Sequence, residues 1–240
     1  MKLTTINNNV HENWLKNIIL FLSSQTVSLF GSSLVQYAIM WHITLTTESG
    51  LMMTLYIICG FIPTFILSPV AGVWADRYNR KILIILADGM IALATLILAI
   101  LFLMGYDAIW LLFLMAAIRA CGTGIQMPAV GAILPQIVHQ DNLTKVNEIN
   151  GSIQAIIMFV SPMVSAALLA MTSIEIIFFI DVITAAIAIG TLLFFLKIKV
   201  HKKAAEKQTT SYFSDFKLGL QYVSSHAFLK KFFLFFAVFF

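Results

Sequence analysis

Three ionisable side chains interrupt the long apolar runs of this chain: Asp88, Arg119 and Asp181. On an insertion scale each costs about 2.5–3.5 kcal/mol at mid-bilayer and less toward the ends, so together roughly 6–9 kcal/mol. Apolar runs keep such groups only where partners or water compensate them. Arg119 lies near the middle of its run. A guanidinium releases no proton at physiological pH, so its possible work is to tune a carboxylate, favouring the ionised form when close and relinquishing that preference when apart. Asp181 and Asp88 are the candidate carboxylates for that tuning. The alternative is a static ion pair that fixes helix packing, and for Asp88, nearer the end of its run, the static role is favoured.

A second set of residues is polar without being charged. Gln25, Ser28, Ser32 and Gln36 follow one another at spacings of three and four, which places them on one face of a helix. Such a stripe in an apolar segment serves either to line a water-filled cavity or to bond neighbouring helices. With Gln126 and Met127 of a later run they are the candidates for a cavity wall. Enzyme chemistry has nothing to build on: no nucleophile–base set, metal-ligand cluster or phosphate-binding glycine loop occurs. Cys59 and Cys121 both sit inside apolar runs and read as small core residues. No cofactor or metal is expected.

The elements that must position these residues are membrane spans. Of 240 residues 60% are apolar and 11% charged, and mean hydropathy is +0.93. The apolar excess comes in blocks of about 20 residues or more, the pattern of a polytopic membrane protein. Spans are expected at about 16–44, 51–74, 82–104, 108–133, 149–171 and 176–196, with a polar cytoplasmic loop from His139 to Glu148. Residues 1–15 read as a cytoplasmic tail and 197–227 as a polar linker with an amphipathic segment. Residues 228–240 read as the start of a seventh helix, too short to cross, which favours a truncated chain. The first run is too long for a cleaved leader. Fourteen of the 15 Lys and Arg residues fall on or beside the side that carries the N-terminus, and Arg119 is the other. That bias sets a cytoplasmic N-terminus. The net charge of +4 resides in short flanks and turns, matching anionic lipid headgroups rather than nucleic acid.

Between the second and third spans lies Gly72-Val73-Trp74-Ala75-Asp76-Arg77-Tyr78-Asn79-Arg80-Lys81. Gly72, Asp76, Arg77, Arg80 and Lys81 match the signature loop of the major facilitator superfamily, Gly-x-x-x-Asp-Arg-x-x-Arg-Lys, which joins that family's second and third helices. The resemblance extends along the chain through Gln25-Thr26-Val27-Ser28-Leu29, Ile118-Arg119 with Gly122 and Gly124, Leu143-Thr144-Lys145, Ser161-Pro162, Ile180-Asp181-Val182 and Gly219-Leu220-Gln221-Tyr222. It is most similar to the bacterial drug-efflux branch, close to the macrolide-efflux proteins. Two motifs depart from the family pattern. The glycines after Arg119 are slightly shifted. In the fifth span Ile157, Ser161, Pro162, Ser165 and Ala166 stand where the antiporter motif is glycine-rich.

The resemblance implies an all-α fold: a six-helix N-terminal bundle of the major facilitator type, followed by linker and helix seven. It implies a secondary active transporter in the bacterial cytoplasmic membrane, exporting a small amphipathic drug such as a macrolide against protons. The charged turn would latch two halves together, Arg119 would take part in proton coupling with Asp181 or Asp88 as the candidate carboxylate, and Ser161, Pro162 and Ser165 would form a kinked helix contact. The partner would be a missing C-terminal half or a second copy. Other readings are a transporter of a native metabolite, lipid or siderophore, and a truncated half-protein that transports nothing.

Overall fold

The computed structural model describes residues 2–196, with side chains from 14 onward, and beyond them residues 221, 224–226, 228–229, 231–232 and 235. The expected linker and seventh helix therefore lie almost wholly outside the described residues. Six helices follow in order: α1 (Lys2–Thr47), α2 (Gly50–Arg77), α3 (Arg80–Leu103), α4 (Ile109–Ile137), α5 (Gln140–Met171) and α6 (Ile174–Phe195). Each is long and apolar enough to cross a membrane, and the fold class is an all-α multi-pass membrane bundle.

Short connections set the up-and-down order. Only Tyr78 and Asn79 separate α2 from α3. The Asn79 side chain caps α3 by accepting from the Lys81 N–H at 3.1 Å. At the other end of α3, Gly105 takes a left-handed φ of +83°, with Gly105 N–H bonded to Phe102 O and Tyr106 N–H to Leu101 O, both at 2.9 Å. This is a Schellman stop, which a glycine adopts without a Cβ clash.

Two helices outrun the hydropathy pattern. α1 begins at Lys2, so the expected N-terminal tail is helical. The polar loop expected over His139–Glu148 is corrected: from Gln140 it forms the first turns of α5. Val146 is buried there and Leu143 packs beside it, against Ile133 and Leu134 of α4 and Ile18 and Leu22 of α1. A helix of 32 residues is about 48 Å long against a hydrocarbon core of about 30 Å, so its polar start stands outside the bilayer without ceasing to be helix.

Helices pack in the series α2, α4, α3, α6, α1, α5, with α1 against both α6 and α5. Two apolar layers result. One, around Phe21, Ile84, Ile133 and Leu192, lies toward the charged turn. The other, around Ile39, Leu98, Leu112 and Phe178, lies toward the opposite end, where Phe102 and Phe178 meet edge to face at 5.5 Å. Glycines permit the close approaches. A Cβ on Gly31 would collide with Thr184 of α6, and one on Gly122 with Ile91 of α3. α2 and α5 bury few residues, and Phe61, Phe65, Phe159 and Met163 lie exposed on them.

Candidate functional site

Between the two apolar layers runs a belt of buried polar groups: Ser24, Gln25 and Ser28 on α1, Asp88 and Thr95 on α3, Arg119 on α4, Asp181 on α6. Four helices supply it, α3 with two residues a little under two turns apart. The belt contains two centres.

The first is built on Arg119. Its Nη1 donates to Asp181 Oδ2 at 2.5 Å and to Thr95 Oγ1 at 2.7 Å. Its Nη2 donates to the Ser32 carbonyl at 2.8 Å and the Ser32 hydroxyl at 2.7 Å. Thr95 Oγ1 also lies 3.1 Å from Asp181 Oδ2 and 2.9 Å from Ile91 O. The guanidinium is thus tied to α1, α3 and α6 at once. Arg119 is 8% exposed and Asp181 1%, so the pair has shed almost all water and its charge-assisted bonds act at low dielectric. The residual exposure of Arg119 opens on a cavity of about 290 Å3 between α1, α2 and α4, shared with Ser32, Gln36, Tyr37, Tyr56 and Thr123. Tyr56 donates to the Gln36 carbonyl at 3.0 Å, and Thr64 to the Ala120 carbonyl at 2.8 Å.

The second centre is built on Asp88. Its Oδ1 accepts from Gln126 Nε2 at 2.6 Å and from Ser28 Oγ at 3.2 Å. A smaller cavity of about 150 Å3, between α1, α4 and α5, is lined by Gln25, Gln126, Met127 and Gln154 among others. The polar stripe on α1 is therefore divided. Gln25 and Ser28 turn inward toward Asp88, Ser32 meets Arg119, and Gln36 is exposed at the larger cavity. Ser28 lines neither cavity.

The charged turn is a third structure, far along the bundle. Arg80 reaches back to donate to Ala75 O at 3.0 Å and across to Ala132 O on α4 at 2.7 Å, with Asp76 at 3.8 Å. Lys81 donates to the Leu196 carbonyl at the end of α6 at 2.7 Å, a cation on the negative end of a helix dipole. Arg77 is buried, Asp76 exposed, and Gly72 has no atom within 4 Å of where its Cβ would be. On α5, Ser161 and Ser165 are fully buried beside Pro162, and the Ser165 hydroxyl donates to Leu34 O of α1 at 2.9 Å. Small residues there let the two backbones approach.

Thr95 and Thr64 belong to the site and were not anticipated from the sequence. For Thr95 a signal existed: it lies seven residues after Asp88, on the same face of α3.

Comparison with known proteins places this geometry. A sequence model of the Major Facilitator Superfamily matches residues 17–240. Macrolide efflux protein A of Streptococcus pyogenes is 34% identical over 178 residues, 74% of this chain and 44% of that protein. Macrolide efflux protein A of Enterococcus faecalis is 37% identical over 134 residues, 56% of this chain and 42% of that protein. YfiS, an uncharacterized MFS-type transporter of Bacillus subtilis, is 24% identical over 211 residues, 87% of this chain and 49% of that protein. The chain spans less than half the length of each of these three relatives.

Proposed function

Because the chain belongs to the major facilitator superfamily, we propose that it forms the N-terminal half of a secondary exporter for amphipathic drugs, with macrolides the first candidates and protons the coupling ion. The observation that carries this reading is Arg119: a charged residue deep in the bundle, clamped by Asp181, Thr95 and Ser32, yet bordering a cavity. A buried cation with a cavity at its side can sense what enters and what titrates nearby. The relatives named as macrolide-efflux proteins supply the substrate class.

In this reading the α1–α2–α4 cavity is one wall of a binding site at mid-membrane, closed by a second half. Ser32, Gln36 and Tyr37 offer hydrogen bonds, and Tyr56, Ile57 and Phe61 offer apolar surface. Gln25, Gln126 and Met127 extend the wall toward the charged turn. The turn acts as a latch: Arg80 and Lys81 hold α2, α3, α4 and α6 together, and the exposed end of the turn at Asp76 is the surface that would meet the other half.

The test is accumulation of a labelled macrolide in an efflux-deficient bacterium expressing this chain together with the C-terminal half of a macrolide-efflux relative. Lower accumulation that an uncoupler abolishes is the expected result. Unchanged accumulation with both halves present in the membrane refutes the drug reading.

A further inference from the structure

Asp88 differs from Asp181 in one respect that matters chemically: among the described residues no cation reaches it. Ion pairs among the described residues include Arg80–Asp76, Arg119–Asp181 and His139–Asp141, and no described cation pairs with Asp88. Asp88 is 3% exposed. Both of its hydrogen bonds come from neutral donors, Gln126 and Ser28, and both fall on Oδ1. Oδ2 is buried with no partner, and so is the Nε2 of Gln25, a side chain within hydrogen-bonding reach of the same carboxyl group.

The charged surroundings reinforce this. α1 presents Ser28 and Gln25, and α4 presents Gln126, all neutral. Arg119 on α4 is committed to Asp181, Thr95 and Ser32. Lys81 on α3 itself is turned to the end of α6. The charge that acts on Asp88 from a neighbouring helix is Asp181, of the same sign. An ionised Asp88 would thus be a desolvated anion without a counter-charge, met by neutral groups alone, a costly arrangement in a low-dielectric interior.

We infer that Asp88 is a proton-binding site, separate from the Arg119–Asp181 pair, that holds its proton on Oδ2 and exchanges it through the cavity lined by Gln25 and Gln126. The proton arrives on a hydronium ion in that cavity and returns to water when it leaves, so no other reactant is needed. On Oδ2 it supplies the missing donor. The Gln25 amide, turned so that its oxygen faces Asp88, accepts from it, and the amide nitrogen then faces the cavity. Both unpartnered atoms are satisfied by one proton and one amide rotation. Oδ1 remains the carbonyl that accepts from Gln126 and Ser28.

This deepens the coupling reading above by naming the carboxylate that carries the proton, yet it is read without transport. The experiment is infrared difference spectroscopy of the whole chain in lipid nanodiscs, in H2O and D2O. The expected result at neutral pH is a protonated-carboxyl C=O band that shifts in D2O, is lost in Asp88→Asn and is kept in Asp181→Asn. Asn is the neutral isostere of a protonated Asp88, so the fold is expected to survive that change, and Arg119→Gln/Asp181→Asn, which strands no charge, checks that the band is kept should Asp181→Asn alone fail to fold. Gln126→Leu provides a second reading, because removing the donor to Oδ1 should move the band to higher frequency. A wild-type spectrum without the band, a band that persists in Asp88→Asn, or an unmoved band in Gln126→Leu overturns the proposal. So does a band that sodium abolishes at fixed pH, which would assign the site to a metal cation. Failure of drug export in the accumulation assay leaves this result standing, and the reverse holds equally.

Discussion

Replacing Arg119 by Gln should destabilise the bundle more than replacing Arg119 and Asp181 together. Arg119→Gln removes contacts at 2.5–2.8 Å to Asp181, Thr95 and Ser32 and leaves Asp181, 1% exposed, as a buried anion without a counter-charge. Breaking one side of a buried pair costs about 3–5 kcal/mol. Asp181→Asn should cost a similar amount, by stranding the guanidinium instead. In Arg119→Gln/Asp181→Asn neither charge remains, and two amides of similar shape can bond each other and Thr95. The double variant should therefore be more stable than the sum of the singles predicts, with a coupling energy of about 2–3 kcal/mol. Reversible denaturant unfolding in mixed micelles, followed by circular dichroism, gives all four corners of the cycle. Single substitutions costing under about 1 kcal/mol, or effects additive within about 0.5 kcal/mol, would refute the picture of a desolvated pair. The same variants separate a static from a coupling role in the joined exporter. If the pair only fixes packing, the double variant recovers export along with stability. If it couples, stability returns and uncoupler-sensitive export does not.

Two further outcomes follow from the geometry. Gly122→Ala gains about 1 kcal/mol of helix propensity but drives a Cβ into Ile91, an overpacking that costs about 1–3 kcal/mol. A net loss of about 1 kcal/mol is expected in wild type and a net gain in an Ile91→Ala background, read by the same unfolding assay. For topology, with Cys59 and Cys121 replaced by Ala, Asp107→Cys beside the α3 stop should react with an impermeant maleimide on intact cells, whereas Tyr78→Cys in the charged turn should react only after permeabilisation. The opposite labelling would invert the orientation read from the Lys and Arg bias.

The spans and the charged turn were legible because the bilayer writes them directly into the sequence. Twenty-residue apolar blocks and short basic turns have few other causes. Hydropathy was silent on where helices outlast the membrane, and that is why the start of α5 read as a loop. Gln140–Glu148 is polar because it faces water, and helical because Leu143 and Val146 still find apolar partners. The identity of the buried charges was equally plain, since an Asp or Arg inside an apolar run stands out. Their pairing was not. Which carboxylate Arg119 meets depends on α3, α4 and α6 converging at one depth, and single residues do not encode that. Thr95 went unnoticed for the same reason: a threonine in an apolar run is ordinary until the fold sets it between a guanidinium and a carboxylate.

The distribution of polar contacts also constrains how this bundle can move. Arg119 binds α4 to α1, α3 and α6. Asp88 binds α3 to α1 and α4. Arg80 and Lys81 tie α3 to α4 and α6 at the charged end, and Ser165 ties α5 to α1. A rearrangement within the bundle would break several of these bonds at once, and at Arg119, Asp88 and Ser165, which are buried, it would leave polar atoms without partners in an interior poor in water to replace them. Rotation of the bundle as one body breaks none of them. What remains free to change without disturbing the packing is small and local: the proton on Asp88, the orientation of the Gln25 amide, and the occupant of the cavity beside Arg119. In the exporter proposed above, alternating access would then be rocking of this bundle as a rigid body, with the two polar centres as the places where a proton and a ligand would act without disturbing its packing.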